Sequence, residues 1–467
     1  MRRFCLITTI LLAGCATTSA PPQPAVTVPD AWRDATQTTQ ATQATVPLDW
    51  WRAFNSAELA DLIAAALAGS PDLAVASERV KQAEAQVRVS GASLFPTLDL
   101  GVASVRRDTH SDQGPAINVD TTNAVLNASY EIDLWGRLSS GVRSAESSLR
   151  ASRYDLETAR LTLVSGVATA YFDLLSLRDR LALARANVAT AERVLAVVES
   201  RVRNGAATPL DLVRQRAATV SQRATIPPLE LQERQTLSAL AILIGRTPAG
   251  FDVAGTSVVA LAIPEIAPGL PASLLIRRPD IAAAEAQLLA ANANLAVARA
   301  ELLPSVTLSG SVGLASGALF AFGNPATIVT AAAALAQPIF DGERRKAEVE
   351  GAESRERELV ETYRRAILAA FADVENALVA ISRNAQQEAL QVEYRSEARE
   401  SLRLAEVRYR AGADDLLVVL DAQRTLFQAE DQLAQSRRSR LQASVSTYRA
   451  LGGGWTIPED APRVGVR

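Results

Sequence analysis

The sequence predicts a mainly α-helical chain with a small membrane β part: long helical hairpins, four strands and two internal repeats. Three observations predict it. First, segments recur at a near-constant offset. Ser70-Pro71-Asp72-Leu73 opens a helical run ending at Leu94-Phe95-Pro96, and Arg278-Pro279-Asp280-Ile281 opens another ending at Leu302-Leu303-Pro304, so that 279 − 71 = 304 − 96 = 208. Leu134-Trp135-Gly136-Arg137 has its partner in Ile339-Phe340-Asp341-Gly342, and Arg203-Asn204-Gly205-Ala206 in Arg410-Ala411-Gly412-Ala413. The spacing far exceeds the ~20–50-residue unit of a solenoid, so the reading is a duplicated half-molecule. Second, two stretches in each half change from helical to period-two patterning. Third, very long proline-free helical stretches follow them, from Gly136 to Gly205 and from Gly342 to Gly412.

The elements run in chain order. Arg2 and Arg3 precede a short apolar stretch, Phe4 to Leu12, too short for a ~20-residue spanning helix. Leu12-Ala13-Gly14-Cys15 closes it and resembles the lipobox of bacterial lipoproteins, which implies residues 1–14 as signal peptide and Cys15 as the first residue of the mature chain; an ordinary cleaved signal with an incidental cysteine is the alternative. Residues 15–48, rich in Thr, Gln, Ala and Pro, read as an extended tether. The first repeat spans 49–244 and begins at Trp50, Trp51 and Phe54, taken as packing residues rather than a membrane belt. Its strands fall at about 97–107 and 122–135, around a polar loop from Arg107 to Thr121. The long stretch after Gly136 carries a heptad, with Leu174, Leu181, Val188, Leu195 and Val202 in one position and Leu177, Ala184, Ala191 and Val198 in the other. A returning helix from Pro209 to Leu243 is broken at Pro227-Pro228.

Residues 245–270 form a linker. The second repeat, 271–451, repeats the device with strands at about 305–315 and 327–339; the last is mostly alanine, and its place in the repeat decides for strand. Phe371, Leu378, Ala385 and Val392 form the seam of its long helix, a return runs from Asp415 to Leu451, and 452–467 is a tail. A helix of ~65 residues is ~100 Å long, a length suited to crossing a wide gap.

Composition excludes whole classes of function. The sequence holds one histidine, His110, and two cysteines, Cys5 and Cys15, of which Cys5 leaves with the signal. A multi-histidine metal site cannot be assembled, a Ser-His-Asp triad would have to rest on His110 alone, which lies in a polar loop-like stretch, and no disulfide framework exists. A net charge of −3 speaks against a nucleic-acid surface. The expectation is a protein that is not an enzyme and carries no cofactor.

Four strands with one apolar face can cover helices, or they can enter a membrane. Open sheet edges are not tolerated in lipid, and membrane barrels start at about eight strands. Membrane strands therefore require several chains to share one barrel, and three chains supply about twelve.

The residues that carry a family resemblance span nearly the whole chain. They are Leu12 to Cys15, Trp50-Trp51-Arg52 with Phe54, Pro71-Asp72-Leu73, Tyr130 to Arg137, Ile226 to Glu230, Arg277 to Ile281, Gln337 to Gly342 and Asp421 to Arg424. With these the chain resembles the outer-membrane factors of tripartite efflux pumps, the TolC-like channels, and within them the lipoprotein branch typified by OprM and NodT. The resemblance implies a homotrimer with one twelve-stranded β-barrel in the outer membrane and an α-barrel reaching through the periplasm. It implies as partners a membrane-fusion adaptor and an inner-membrane pump of the RND type. It implies that Cys15 carries N-acyl and S-diacylglycerol lipid, and Ala16 in place of aspartate favours outer-membrane sorting.

Mechanism then sits at the periplasmic tip, in the turns around Gly205 and Gly412. The resemblance gives Leu417, Asp421 and Arg424 a role in constricting or bracing the closed aperture. Asp414 and Asp415 stand at the same tip, where three-fold symmetry turns each aspartate into a ring; acids near a helix start also suit the helix dipole alone. Arg203, Gly205, Ala206, Arg410, Gly412 and Ala413 are the expected adaptor-contacting turns, although glycine also serves simply to close a helix hairpin. Acidic residues at the second tip alone make it the expected gate. Two other readings stay open: an exit duct for type I protein secretion or metal-ion export, and a periplasmic coiled-coil scaffold lipoprotein without a pore.

Overall fold

The computed structural model describes residues 25–33, 46–111 and 114–457. The signal peptide and Cys15 lie outside these residues. A 3₁₀ turn at Trp50–Phe54 leads to α1 (Ala57–Gly69) and α2 (Pro71–Ala92), then to strands β1 (Thr97–Ser111) and β2 (Gly114–Ile132). Next come α3 (Arg137–Arg203), α4 (Pro209–Ala224) and α5 (Ile226–Leu243). After a second 3₁₀ turn at Pro271–Ile276 lie α6 (Pro279–Ala300), β3 (Ser305–Ser316), β4 (Ala326–Ala336), α7 (Arg344–Arg410) and α8 (Leu416–Ala450). Both α3 and α7 have 67 residues, roughly 100 Å at ~1.5 Å per residue.

The strands form one antiparallel sheet in the order β1-β2-β3-β4. Register sorts the side chains into two faces. Leu100, Leu126, Val312 and Val329 form one row, and Ile132, Val306 and Leu335 another on the same face. Asp99, Asn127, Ser311 and Thr330 form a row on the opposite face. The apolar rows run from Ile132 to Ala124 along β2, ~27 Å at ~3.4 Å per residue. Within the chain β1 and β4 are each paired on one side only.

The first hairpin is longer than the alternation predicts. The expected loop from Arg107 to Thr121 is largely ladder: Arg106 pairs with Asp120, Arg107 with Val119 and Thr109 with Ile117. Beyond the apolar rows the backbone ladder continues without hydrophobic alternation. The strands also stop sooner, β2 at Ile132 and β4 at Ala336, because the chain turns there. At the first corner the Asp133 carboxylate accepts the N–H groups of Leu138 and Ser139, capping α3.

The core sits below the sheet, where helices of both halves meet. Trp50 and Phe54 are buried there beside Phe172, and Trp50 stacks on Tyr448 at 4.9 Å, the packing role expected of them. The stretch after α5 is docked, with Val253, Val258 and Leu261 in the core and the Arg178 guanidinium donating to the carbonyls of Val253 and Gly255. The tether is docked in part as well. Val26 and Trp32 are buried against α6 and α7, and Trp32 Nε1 donates to the Gly269 carbonyl at 2.9 Å. A polar composition hid two apolar anchors six residues apart.

The heptads hold where helices pair and drift elsewhere. Leu177, Ala184, Ala191 and Val198 are all buried, but Asn187 and Val194 replace Val188 and Leu195 at the seam. An α-helix drifts ~20° per heptad against a strict seven-residue repeat, which moves the seam by one residue. In α7, Gln391 and Arg395 are half-buried while Val392 is 47% exposed. The break in the first return falls at Thr225, two residues before the expected one, since Pro227 and Pro228 occupy the first turn of α5, which tolerates proline.

Two helices at matching places in the two halves differ in burial. α6 lies between α3 and α7 and has twelve buried residues. α2, of the same 22-residue length, packs mainly on α3 among the described residues and has none. Val75 and Val89 on α2 are exposed.

Candidate functional site

At the end of the structure farthest from the sheet, α3 turns into α4 and α7 into α8. Both turns are Schellman motifs. At the first, Gly205 takes φ 71°, its N–H donates to Val202 O, and Ala206 N–H donates to Arg201 O. At the second, Gly412 takes φ 74°, its N–H donates to Tyr409 O, and Ala413 N–H donates to Arg408 O. Glycine is demanded because this left-handed backbone burdens any side chain. Arg203 and Arg410 end their helices, where cations suit the dipole, and Arg410 pairs with Glu406 at 2.9 Å.

The tips differ in the residues that start the returning helices. Thr208 and Asp211 form a reciprocal capping box: Asp211 N–H donates to Thr208 Oγ1 at 3.2 Å, and Thr208 N–H donates to the Asp211 carboxylate at 3.0 Å. The backbone N–H and hydroxyl of Thr208 hold that carboxyl below the usual carboxylate range. The first tip is therefore not free of acid, contrary to the expectation from sequence; its aspartate is committed to the cap. At the second tip Asp415 occupies the cap position without a side-chain cap bond, Leu416 is buried and Leu417 is 52% exposed. Asp414 is held by both guanidinium donors of Arg408, at 2.6 and 3.0 Å, and hydrogen bonding from Arg408 keeps its carboxyl below the usual range.

Leu417, Asp421 and Arg424 share one face of α8, at spacings of four and three, and Arg424 donates to Asp421 at 2.6 Å. They line an open cleft of about 500 Å³ between α8 and α4, with Ala218, Ser221 and Gln222 opposite. Asp414 and Asp415 are not in its lining.

Sequence reasoning missed the residue that joins the two tips. Arg201 donates to the Tyr409 carbonyl, and to the Ala206 carbonyl at 3.4 Å. Its guanidinium carbon stands 4.5 Å from the centre of the Tyr409 ring. The repeat offset holds the signal. Arg201 corresponds to Arg408 (408 − 201 = 207), but Ala207 stands where the second tip has Asp414 (414 − 207 = 207). With Ala207 in place of an aspartate to pair with it as Asp414 pairs with Arg408, Arg201 reaches across, and it meets Tyr409 where the first helix has Val202 (409 − 202 = 207).

Helices of ~100 Å closed by paired tips at one end, and a sheet with one apolar face at the other, are the features of a membrane-set channel protein. The model of the outer membrane efflux protein family matches residues 62–246 and again 270–453, and the chain belongs to that family. It is 43% identical over 467 residues to the pyoverdine export outer membrane protein OpmQ of Pseudomonas aeruginosa, with 97% of each chain covered. The structure of the outer-membrane channel OprN aligns with a TM-score of 0.86 at 27% identity, covering 94% of this chain and 99% of that one. A crystal structure of the channel-forming protein CusC aligns with a TM-score of 0.85 at 28% identity, covering 94% and 100%. The protein is thus an outer-membrane efflux channel component located in the outer membrane, and its relatives are channels rather than enzymes.

Proposed function

We propose that three copies of this chain form one conduit, with a twelve-stranded β-barrel in the outer membrane and a helical α-barrel below it, gated at the tips. The observation that carries this reading is the bare flank of α2. α6 is buried between α3 and α7, whereas the main contact of α2 among the described residues is with α3. The vacant side of α2 fits the α7 of a neighbouring copy, and the free edge of β1 fits the β4 of that same copy. One neighbour then completes both layers. Duplication of a half-molecule supports the plan: α3 and α7 are offset by 344 − 137 = 410 − 203 = 207 at their two ends. Gly245 packs on Gly69 as Gly452 packs on Arg277, with 452 − 245 = 207 and 277 − 69 = 208.

In this assembly Leu417, Asp421 and Arg424 constrict the aperture, and the turns at Gly205 and Gly412 meet a periplasmic adaptor that links the conduit to an RND-type inner-membrane pump. Passage is passive. OpmQ, named for pyoverdine export, makes pyoverdine the first substrate to test. Cys15, with N-acyl and S-diacylglycerol lipid, anchors the chain; labelled palmitate enters the native protein and not Cys15→Ser.

The deciding experiment combines trimer mass in detergent with planar-bilayer conductance. A three-subunit particle that conducts, with conductance or cation preference altered by Asp421→Ala, is the expected result. A silent monomer sinks the assembly, and a trimer indifferent to Asp421→Ala sinks the gate.

A further inference from the structure

The rim of the apolar face carries a row of three hydroxyls. Ser104, Thr122 and Ser316 stand side by side on β1, β2 and β3, on the same face as Leu100, Leu126 and Val312. The connection between β3 and β4 folds back over this row. Thr122 Oγ1 donates to the Ala318 carbonyl at 2.7 Å, and Phe320 N–H donates to Ser104 Oγ at 3.0 Å. Ser316 Oγ donates to the Gly323 carbonyl at 3.0 Å and accepts the Ala318 N–H at 3.3 Å. The hydroxyls of Ser104 and Thr122 are 2.8 Å apart, and Thr122 and Ser316 are buried. The connection therefore crosses from β3 over β2 to β1 on the apolar side of the sheet, not on the polar side that carries Asp99 and Asn127.

What it presents outward is aromatic. Phe320 is 82% exposed and Phe322 44%. Phe320 holds φ 54°, a conformation a bulky side chain seldom adopts, and its N–H bond to Ser104 fixes it there. One row farther from the apolar band, ~7 Å along the strands, Arg106 donates to both carboxylate oxygens of Asp120 at 2.8 and 2.9 Å on the same face. The connection thus lies between apolar rows and a charged row, the level at which acyl chains give way to headgroups. Aromatic girdles occupy this level in membrane barrels.

We propose that residues 317–325 form a lipid-contacting flap, in which Phe320 and Phe322 enter the boundary between acyl chains and headgroups of the outer leaflet. The inference rests on reading the apolar face of the sheet as the lipid face. Its occupant is lipid because the flap continues that face without a break. The three covered hydroxyls keep their hydrogen bonds inside the protein, so no polar group of the row is offered to hydrocarbon.

Tryptophan fluorescence in phosphatidylcholine vesicles tests it, with the emission of the five native tryptophans subtracted using the wild-type protein. The probe is Phe320→Trp, with Phe322→Trp as a second variant should the first assemble poorly. Val329→Trp, on the apolar rows of β4, is the control. The expected result is difference emission at short wavelength, at least halved when the acyl chains are brominated and little affected by acrylamide. Quenching by acrylamide alone puts the flap in water, and quenching by neither puts it against another subunit; both overturn the proposal. If bromolipid quenches Val329→Trp and not the flap variants, only the flap falls. If it fails to quench Val329→Trp, the reading of the sheet falls first.

Discussion

The guanidinium of Arg201 lies over the ring of Tyr409, with 4.5 Å between its central carbon and the ring centre, and so one side chain fastens the end of α3 to the end of α7. The same guanidinium donates to the Tyr409 carbonyl. Burial pushes the Tyr409 phenol above its ordinary range, so at neutral pH the ring facing Arg201 is uncharged. Arg201→Ala removes a partly desolvated cation–π contact and a charge-assisted hydrogen bond, at a cost of about 1–2 kcal/mol to tip closure. Amide exchange across 405–413 should quicken about tenfold, while the waist around Phe172 stays unchanged. Equal exchange in both proteins would remove the fastening role.

Asp414 sets a pH window for the second tip. Its folded carboxyl lies below the usual carboxylate range, so the bond to Arg408 is fully present above that range and is lost as pH falls through the lowered value. The turn at Gly412 should stay ordered at pH 7 and loosen only below about pH 4. Asp414→Asn should show the loosened turn already at pH 7, by exchange or by channel noise in bilayers, and should respond less to acid.

The first tip depends on a cap rather than an ion pair. Thr208→Ala removes the acceptor for Asp211 N–H and the hydroxyl donor to the Asp211 carboxylate, leaving only the backbone N–H on it, for a loss of about 1 kcal/mol. The loss should be confined to the first turn of α4, and Thr208→Ser should restore it. A global change in thermal stability without local change in exchange would argue against this assignment.

Two glycines at the waist should tolerate nothing larger. A Cβ on Gly245 would stand 2.0 Å from the carbonyl oxygen of Gly69, and one on Gly452 would stand 1.8 Å from that of Arg277. Both residues are also left-handed, which alone costs an alanine about 1–2 kcal/mol. Gly245→Ala and Gly452→Ala should abolish folded protein in the membrane fraction. Gly205→Ala, equally left-handed but with open space around it, should fold with a loss of only about 1 kcal/mol.

Much of this was legible in the sequence because repetition carried it. The alanine-rich β4 has no period of its own, and only its place after β3 marks it as a strand. The turns at Gly205 and Gly412 are readable since a left-handed closure after a long helix nearly dictates glycine. Contacts between distant elements were not readable. Nothing local to Arg201 points to Tyr409, and the docking of Trp32 on Gly269 is invisible in a segment of threonine, glutamine and proline. The ladder beyond Arg107 escaped for another reason: backbone pairing without an apolar face leaves no mark on hydrophobic patterning.

The waist glycines have a mechanical consequence. Trp50 and Leu161 crowd Gly453 beside the Gly452 contact, so the helices are pinned near Leu161. From there α3 runs on to Arg203 as an arm of ~60 Å. A tilt of only ~10° about that fulcrum carries the tip sideways by ~10 Å, about the diameter of a helix with its side chains. Small rotations where backbone meets backbone are thereby geared into displacements as wide as a helix at the far end, with no helix required to unwind.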